Sequence, residues 1–291
     1  MVERSEVSIW SPEQLSLGEG PLTHHLRNSL IWCDITEGVV YEKSFSGGAA
    51  KRHDIPVMPS AAGILDERSI LVATEADFRV LDLESGALAV HAEFPMGGEM
   101  RSNDGRVHPS GAFWIGIMAK DGRSRPGAIW RLFKGSLTLM IDAVMIPNSI
   151  CFTADGTTGY YADTPQRTIW QVPTDPATGK VIGEQKVFVS LSETDAGGPD
   201  GSVVDGEGNL WNARWGGGAV DVYDSSGARI RSFAVPASQP TCPAFIGPDL
   251  DQIVITSAKT GLAPKDSGES DGTVLQIHTP VIGRAECLVT P

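Results

Sequence analysis

A short phrase that returns six times along the chain constrains its fold more than any other feature. Each copy is a turn followed by a short apolar run that ends in a small or polar residue. The copies read NSLIWCD, RSILVAT, GAFWIGI, TGYYADT, GNLWNAR and DQIVITS. Their anchor residues, 40 to 50 residues apart, are Leu30, Ile70, Phe113, Tyr160, Leu210 and Ile253. Spacing of this length is typical of a repeated supersecondary unit.

Each unit contains enough strand-like sequence for one small antiparallel sheet. A second short strand follows every phrase, and a third follows most of them, so that a unit holds about four strands. This is the size and content of a β-propeller blade. We therefore predict an all-β fold, a six-bladed β-propeller with four-stranded blades, forming a single domain over residues 1–291. VSIW near the N-terminus and ECLV near the C-terminus compete for the outer strand of the last blade.

The charge balance excludes several classes of partner. The chain has 36 acidic and 23 basic residues and a net charge of −13. Such a surface repels phosphate backbones and anionic lipid, so we expect neither a nucleic-acid nor a membrane partner. No apolar run approaches the ~20 residues that span a bilayer, and MVERSEVSIW lacks an apolar signal-peptide core. We expect a cytoplasmic protein and leave its oligomeric state open.

Polar residues recur at one level of the strand that precedes each phrase. In a propeller this first strand lines the central channel, so equivalent positions converge in space. Eight residues before the following turn stand Ser60, Asn103, Asn148, Asp200 and Thr241, and in the first unit Glu19 lies nine residues before its turn, one residue off the others. Polar residues at strand starts are also ordinary turn formers, but a shared register favours a common site.

Three of these residues suit a hard divalent cation. Glu19, Asn148 and Asp200 supply two carboxylates and a carboxamide, and clustered carboxylates repel unless a cation lies between them. We predict one divalent metal at these residues, with Ca, Zn, Mn, Mg and Fe all open because oxygen-rich sites overlap in preference. The stretch GGPDGSVVDGEGNLW is not a self-contained calcium loop, since neither EF-hand frame places Gly and Glu correctly. Asp205 in that stretch is interpreted as a turn residue.

Several motifs resemble a known family over nearly the whole chain. LGEGP, RSNDGRVHPSG, Pro147-Asn148 and PDGSVVDGEGNLW stand in this order within the six units. In this combination they resemble the gluconolactonase and senescence-marker-protein (regucalcin) family. The resemblance implies a six-bladed propeller with one divalent metal that hydrolyses sugar-acid lactones. It assigns the metal to Glu19, Asn148 and Asp200, and substrate contacts to Arg101 and Asn103.

The sequence departs from the family pattern at two places. A Glu-Glu pair that binds sugar hydroxyls in relatives is replaced by MAKDG, so Asp121 is the expected substrate-binding substitute unless this loop reads another substrate. The fourth unit reads NSICF where the family commonly has Asn-Gly, so Ser149 replaces the glycine.

The leading hypothesis is a metal-dependent hydrolase that converts an aldono- or aldaro-lactone to the free acid. The metal would act as Lewis acid, water as nucleophile, and Asp200 as a metal ligand and general base. Two alternatives stay open: an organophosphate or phosphotriester hydrolase on the same site, and a non-catalytic metal-binding propeller. The expected partner is a small-molecule sugar lactone.

Overall fold

Six antiparallel sheets of four strands make up the fold in the computed structural model, which describes residues 6–291. Blades 1 to 3 contain, from the channel outward, β2 (Gly18–His24), β3 (Ser29–Asp34), β4 (Val39–Ser44) and β5 (Lys51–Asp54); β6 (Pro59–Ile64), β7 (Ser69–Thr74), β8 (Asp77–Asp82) and β9 (Leu88–Glu93); and β10 (Met100–Val107), β11 (Phe113–Ala119), β12 (Gly127–Phe133) and β13 (Ser136–Val144). Blades 4 to 6 contain β14 (Pro147–Phe152), β15 (Thr158–Asp163), β16 (Thr168–Pro173) and β17 (Lys186–Ser190); β18 (Gly198–Val204), β19 (Leu210–Trp215), β20 (Ala219–Tyr223) and β21 (Arg229–Ala234); and β22 (Pro240–Ile246), β23 (Gln252–Ser257), β24 (Val274–His278) and β1 (Glu6–Ser11).

The first strands of the six blades form a closed ring around a channel. Each first strand contacts the first strands of both neighbouring blades, and β22 contacts β2 to complete the circle. The predicted six-bladed propeller is therefore confirmed. The predicted single domain over residues 1–291 includes residues 1–5, which lie outside the described part. Within residues 6–291 the helical structure is one short 3-10 turn, Thr164–Gln166, and no helix there could span a membrane.

The hydrophobic core lies between blades rather than inside one central mass. The second strands are almost wholly buried because a blade packs on each of their faces, whereas fourth strands such as β9 are mostly exposed. Val72 of blade 2, for example, packs against Leu22 and Ile31 of blade 1. Each such aliphatic side chain contributes about 1.5–3 kcal/mol on burial. The apolar phrase that marks each repeat is thus the contact surface of its blade.

The N-terminal strand closes the ring. β1 pairs antiparallel with β24, with Val7 opposite Ile277 and Ile9 opposite Leu275. Of the two candidates for this place, VSIW is the one that occupies it. The competing segment lies elsewhere, and its Leu288 forms a parallel bridge with Ile64 of blade 2.

The chain after β24 lies across the lower end of the channel, where the first strands finish. The N–H of Gly206 in blade 5 donates to the carbonyl of Ile282 (2.6 Å), and the N–H of Val289 donates to the carbonyl of Ile64 in blade 2 (2.7 Å). Blades 5 and 2 lie on opposite sides of a six-membered ring, so this tail (residues 279–291) passes beneath the channel. The end at which the first strands begin is left for a site.

A buried ion pair in the middle of the tail gives a test of its contribution. Arg106 of β10 pairs with Glu286, and their side chains are only 10% and 13% exposed. Glu286→Gln leaves the guanidinium buried without its counter-ion, so we expect a loss of about 3 kcal/mol in the free energy of unfolding. Urea denaturation measures it.

The exposed pair of Arg52 and Asp54 is the matched control, since these side chains are 51% and 78% exposed. Asp54→Asn should change the free energy of unfolding by less than about 1 kcal/mol. Equal losses in the two variants would contradict a tail that is anchored through Glu286.

Candidate functional site

A cavity of about 220 Å³ opens at the end of the channel where the first strands begin. It is large enough to hold several water molecules, which suits a small molecule. Five of the six predicted site residues line it together: Glu19, Arg101, Asn103, Asn148 and Asp200. The apolar part of the wall comes from Leu17, Met118, Ile146 and Trp215.

An irregularity of the β-bulge type lies directly after Glu19 and Asn148, two of the aligned polar residues (the ring residues) of the first strands. The register between first and second strands shifts after Glu19 in blade 1 and after Asn148 in blade 4. A bulge adds a residue to one strand and re-aims the side chains beside it. The next residues, Gly20 and Ser149, have φ of 56° and 55°, in the left-handed region. A Cβ on Gly20 would lie 2.4 Å from the carbonyl of Ser60, so only glycine fits there.

A chain of hydrogen bonds joins the polar residues across three blades. Arg101 Nη1 donates to Asn103 Oδ1 (2.8 Å), and Asn103 Nδ2 donates to Asn148 Oδ1 (2.9 Å). Asn148 Nδ2 donates to Thr164 Oγ1 (2.8 Å), which in turn donates to the carbonyl of Pro199 (2.8 Å). Each amide is fixed in one orientation by this chain. Asn103 therefore holds Arg101 and Asn148 in place.

The site concentrates acidic side chains away from water. Glu19 and Asp200 are only 5% and 4% exposed. Burial, and then the charge of Asp104, raise the pKa of Glu19 to about 8. Burial, and then the charge of Glu19, raise the pKa of Asp200 well above its usual range, while Arg101 lowers both pKa values.

A divalent cation fits this donor set. The repulsion between Glu19 and Asp200 is what a cation between them would relieve, and Asn148 adds a neutral oxygen. No three His, Cys, Asp or Glu side chains in residues 6–291 are grouped so as to hold a metal ion. A site at this place therefore depends on the carboxamide as well as on the two carboxylates.

Asp104 is a buried acid behind the cavity lining, which the repeat spacing does not select, and its charge adds to burial in raising the pKa values of Glu19 and Asp200. It is buried, its Oδ2 accepts the N–H of Ile150 (2.6 Å), and burial raises its pKa to about 6. The spacing between repeats selects Asn103, the residue before Asp104. The irregularity in the strand register between Ser102 and Gly105 cannot be recognised from the sequence. The sequence signal for Asp104 is its position as an acidic residue directly between Asn103 and Gly105. Thr164 was missed too, because it lies outside the aligned strands.

Asp121 lies outside the cavity. Its side chain is exposed, and its Oδ1 accepts the N–H groups of Arg123 (3.0 Å) and Ser124 (2.9 Å) in its own turn. The neighbouring Lys120 forms an ion pair with Glu75. The substrate contact of Asp121 stays a prediction that this placement does not support.

Asp205 has a local partner set that accounts for its position. Its Oδ1 accepts the N–H groups of Glu207 (2.9 Å) and Asn209 (2.8 Å), and its Oδ2 accepts Trp211 Nε1 (2.9 Å). It is buried in the turn between β18 and β19, away from the cavity lining. Asp200 is thus the acid of that stretch that reaches the site.

Comparisons with known proteins agree on one family. Residues 17–259 match the family described as SMP-30/Gluconolactonase/LRE-like region. The chain is 34% identical to a pentonolactonase of Haloferax volcanii, over 93% of each chain. It is 32% identical to an L-arabinolactonase of Azospirillum brasilense, over 89% of this chain and 86% of that one. Among solved structures, the calcium-binding protein regucalcin of Agrobacterium tumefaciens superposes with a TM-score of 0.95 at 39% identity, covering 98% and 97% of the two chains.

The raised pKa of Glu19 predicts how stability depends on pH without a cation. An unfolded Glu has a pKa of about 4.3, against about 8 for Glu19 in the folded protein. The folded form therefore keeps a proton that the unfolded form has lost, and this stabilisation fades as the pH rises through about 8. We expect the melting temperature of the chelator-treated protein to fall between about pH 5 and pH 8. In Glu19→Gln, which cannot titrate there, the fall should be shallower; an equal slope would contradict this.

Proposed function

The chain belongs to the SMP-30/gluconolactonase/LRE-like family, and from this we propose that it is a divalent-metal-dependent hydrolase of sugar-acid lactones. The reaction would open an aldono- or aldaro-lactone to the free acid by hydrolysis of its ring ester bond. The observation that carries the proposal is the convergence of Glu19, Asn148 and Asp200 with Arg101 in one cavity of small-molecule size. The names of the pentonolactonase and the L-arabinolactonase support a lactone as substrate.

Glu19, Asn148 and Asp200 would hold the cation through their oxygen atoms. When bound, the cation would supply Lewis-acid polarisation of the lactone carbonyl and stabilise negative charge on oxygen. Oxygen donors of this kind suit Ca²⁺, Mg²⁺ and Mn²⁺ directly, and Zn²⁺ and Fe²⁺ are candidates at lower preference. The calcium-binding regucalcin makes Ca²⁺ a natural first ion to test.

Asp200 would act as general base. As a water oxygen adds to the lactone carbonyl carbon, the Asp200 carboxylate takes one proton from that water. The bond between the carbonyl carbon and the ring oxygen then breaks, and the departing ring oxygen takes a proton to become a hydroxyl group. One water is consumed, and the product is an open-chain hydroxy acid.

Arg101 would orient the substrate. Its Nη1 donates to the carbonyl of Ser102 (2.9 Å) and to Asn103 Oδ1 (2.8 Å), which fixes the plane of the guanidinium. Nε and Nη2 make no hydrogen bond within residues 6–291, so they are available to lactone oxygens. Asn103 uses both amide hydrogens on Asn148 Oδ1 and the carbonyl of Pro147, so its substrate contact would be the second lone pair of Oδ1, beside the bond from Arg101.

The apolar wall would exclude water and carry the carbon face of the ring. Met118 is buried, and Trp215 is partly exposed at the same cavity. An indole offers a flat apolar surface with a polar N–H at its edge, which suits a ring bearing both C–H and O–H groups.

The proposal is tested with a panel of aldono- and aldaro-lactones in a pH-stat. The protein is first stripped with a chelator and then supplied with Ca²⁺, Zn²⁺, Mn²⁺, Mg²⁺ or Fe²⁺ separately. We expect turnover of at least one lactone that disappears on chelation and returns with one or more ions. Phosphotriesters hydrolysed faster than every lactone would favour the organophosphate alternative. Metal binding with no hydrolysis would favour the non-catalytic alternative, and full activity after exhaustive chelation would exclude the metal mechanism.

Three alanine variants separate site residues from turn residues. Glu19→Ala and Asp200→Ala should lose divalent metal binding, measured by calorimetry, together with lactone turnover. Asp205→Ala should keep both at 25 °C but melt at a lower temperature, because Trp211 Nε1 loses its buried acceptor.

The variant Asp121→Ala tests whether Asp121 contacts the substrate. Because Asp121 lies outside the cavity, we expect an unchanged KM for the lactone that gives the highest kcat/KM. A raised KM at unchanged kcat would instead support the predicted substrate contact.

A further inference from the structure

A cluster of three buried polar side chains lies between blades 4 and 5, directly behind Asp200. Its members are Ser149 of β14 and Ser202 and Asn212 of blade 5, all fully buried. Ser149 Oγ donates to the backbone carbonyl of Asp200 (2.6 Å), and Asn212 Nδ2 donates to the same carbonyl (3.0 Å). Ser202 Oγ donates to Ser149 Oγ (3.0 Å), and Asn212 Nδ2 contacts both hydroxyl groups. Donors from two blades therefore meet on one carbonyl oxygen.

The other five blades use apolar side chains where blade 5 has Asn212. Their second strands pack against the preceding blade through Trp32, Val72, Ile115, Tyr161 and Ile255. A buried carboxamide is less favourable there unless all of its polar atoms are paired. Asn212 Oδ1 is buried without a hydrogen-bond partner. Stability alone would favour an apolar side chain at this position.

Ser149 also occupies a backbone conformation that disfavours a side chain. Its φ is 55°, and the equivalent residue in blade 1 is Gly20. Serine in the left-handed region is strained relative to glycine. What serine adds is the hydroxyl group bonded to the carbonyl of Asp200. The other side of the same segment is held as well, because the N–H of Ile150 donates to Asp104 Oδ2 (2.6 Å).

We propose that Ser149 and Asn212 are positioning residues that aim the Asp200 carboxylate by clamping the carbonyl group of Asp200. Two donors on one carbonyl fix the peptide plane that follows Asp200, and with it the direction of the Cα–Cβ bond inside the bulge. A carboxylate that binds a cation and takes a proton needs such support from the residues behind it. The kinetic test of this inference rests on the proposed function of the site. A second test rests on metal binding alone.

Two variants remove the donors while leaving packing intact or improved. Asn212→Val introduces the kind of side chain found at this level in the other blades, and Ser149→Gly removes the hydroxyl together with the backbone strain. We expect each variant to melt no lower than the wild-type protein, yet to lose at least about tenfold in kcat with little change in KM. Unchanged kcat in both variants would overturn the proposal. A fall in kcat accompanied by a proportional fall in melting temperature would do so too, since it indicates a purely structural role.

Thr256→Val is the matched control. Thr256 is a buried residue of β23 whose Oγ1 donates to the carbonyl of Cys242 in the first strand of blade 6 (3.2 Å). The ring residue of that blade, Thr241, does not line the cavity. We expect this variant to melt at a lower temperature with kcat unchanged. An equal loss of kcat here would show that any such hydrogen bond affects turnover, and would overturn the special role of the clamp.

Binding of Mn²⁺ to the chelator-treated protein separates this inference from the proposed function. If the wild-type protein binds Mn²⁺ but hydrolyses no lactone, the proposed function fails. The clamp is then tested by comparing the Mn²⁺ affinity of the two variants with that of the wild type. A Kd raised about tenfold in Asn212→Val and Ser149→Gly, measured by calorimetry and by electron paramagnetic resonance, supports it. A wild-type Kd in both variants overturns it, as does a wild-type protein that neither binds Mn²⁺ nor turns over a lactone.

Discussion

The pairing of β1 with β24 is the interaction on which the rest of the molecule depends. Glu19 and Asp200 are 181 residues apart in the chain, and blade 6 is the only blade between theirs on the short way around the ring. Blade 6 is complete only because the N-terminal strand joins it. Closure of the ring therefore sets the separation of the two carboxylates. The geometry of the site is a property of the whole circle, and no single blade carries it.

Closure brings together groups that would separate if the ring were free to open. Glu19, Asp104 and Asp200 are all buried, and burial raises the pKa of each. The apolar contacts between blades, which are distributed over all six interfaces, offset the cost of burying these acids. Apolar contacts remote from the site thus stabilise its geometry, so that polar residues of the site can bind a ligand.

The sequence predicts the ring well, and the site in part. The period of 40 to 50 residues specifies the blades, and the register along the first strands selects Glu19, Asn148 and Asp200. Prediction from the repeat spacing fails where the strand geometry is irregular or where a residue lies outside the aligned first strands. Asp104 lies buried at an irregularity in the strand register between Ser102 and Gly105, and Asn212 is a polar residue within an otherwise apolar repeat phrase. The role of Asp121 is implied by resemblance alone, and its side chain accepts N–H groups of its own turn.

The tail crosses beneath the channel, and the cavity opens at the opposite end, where Trp215 forms part of its wall. If the site hydrolyses a lactone as proposed, the negatively charged free acid forms beside Glu19 and Asp200, and repulsion from these carboxylates would favour its release.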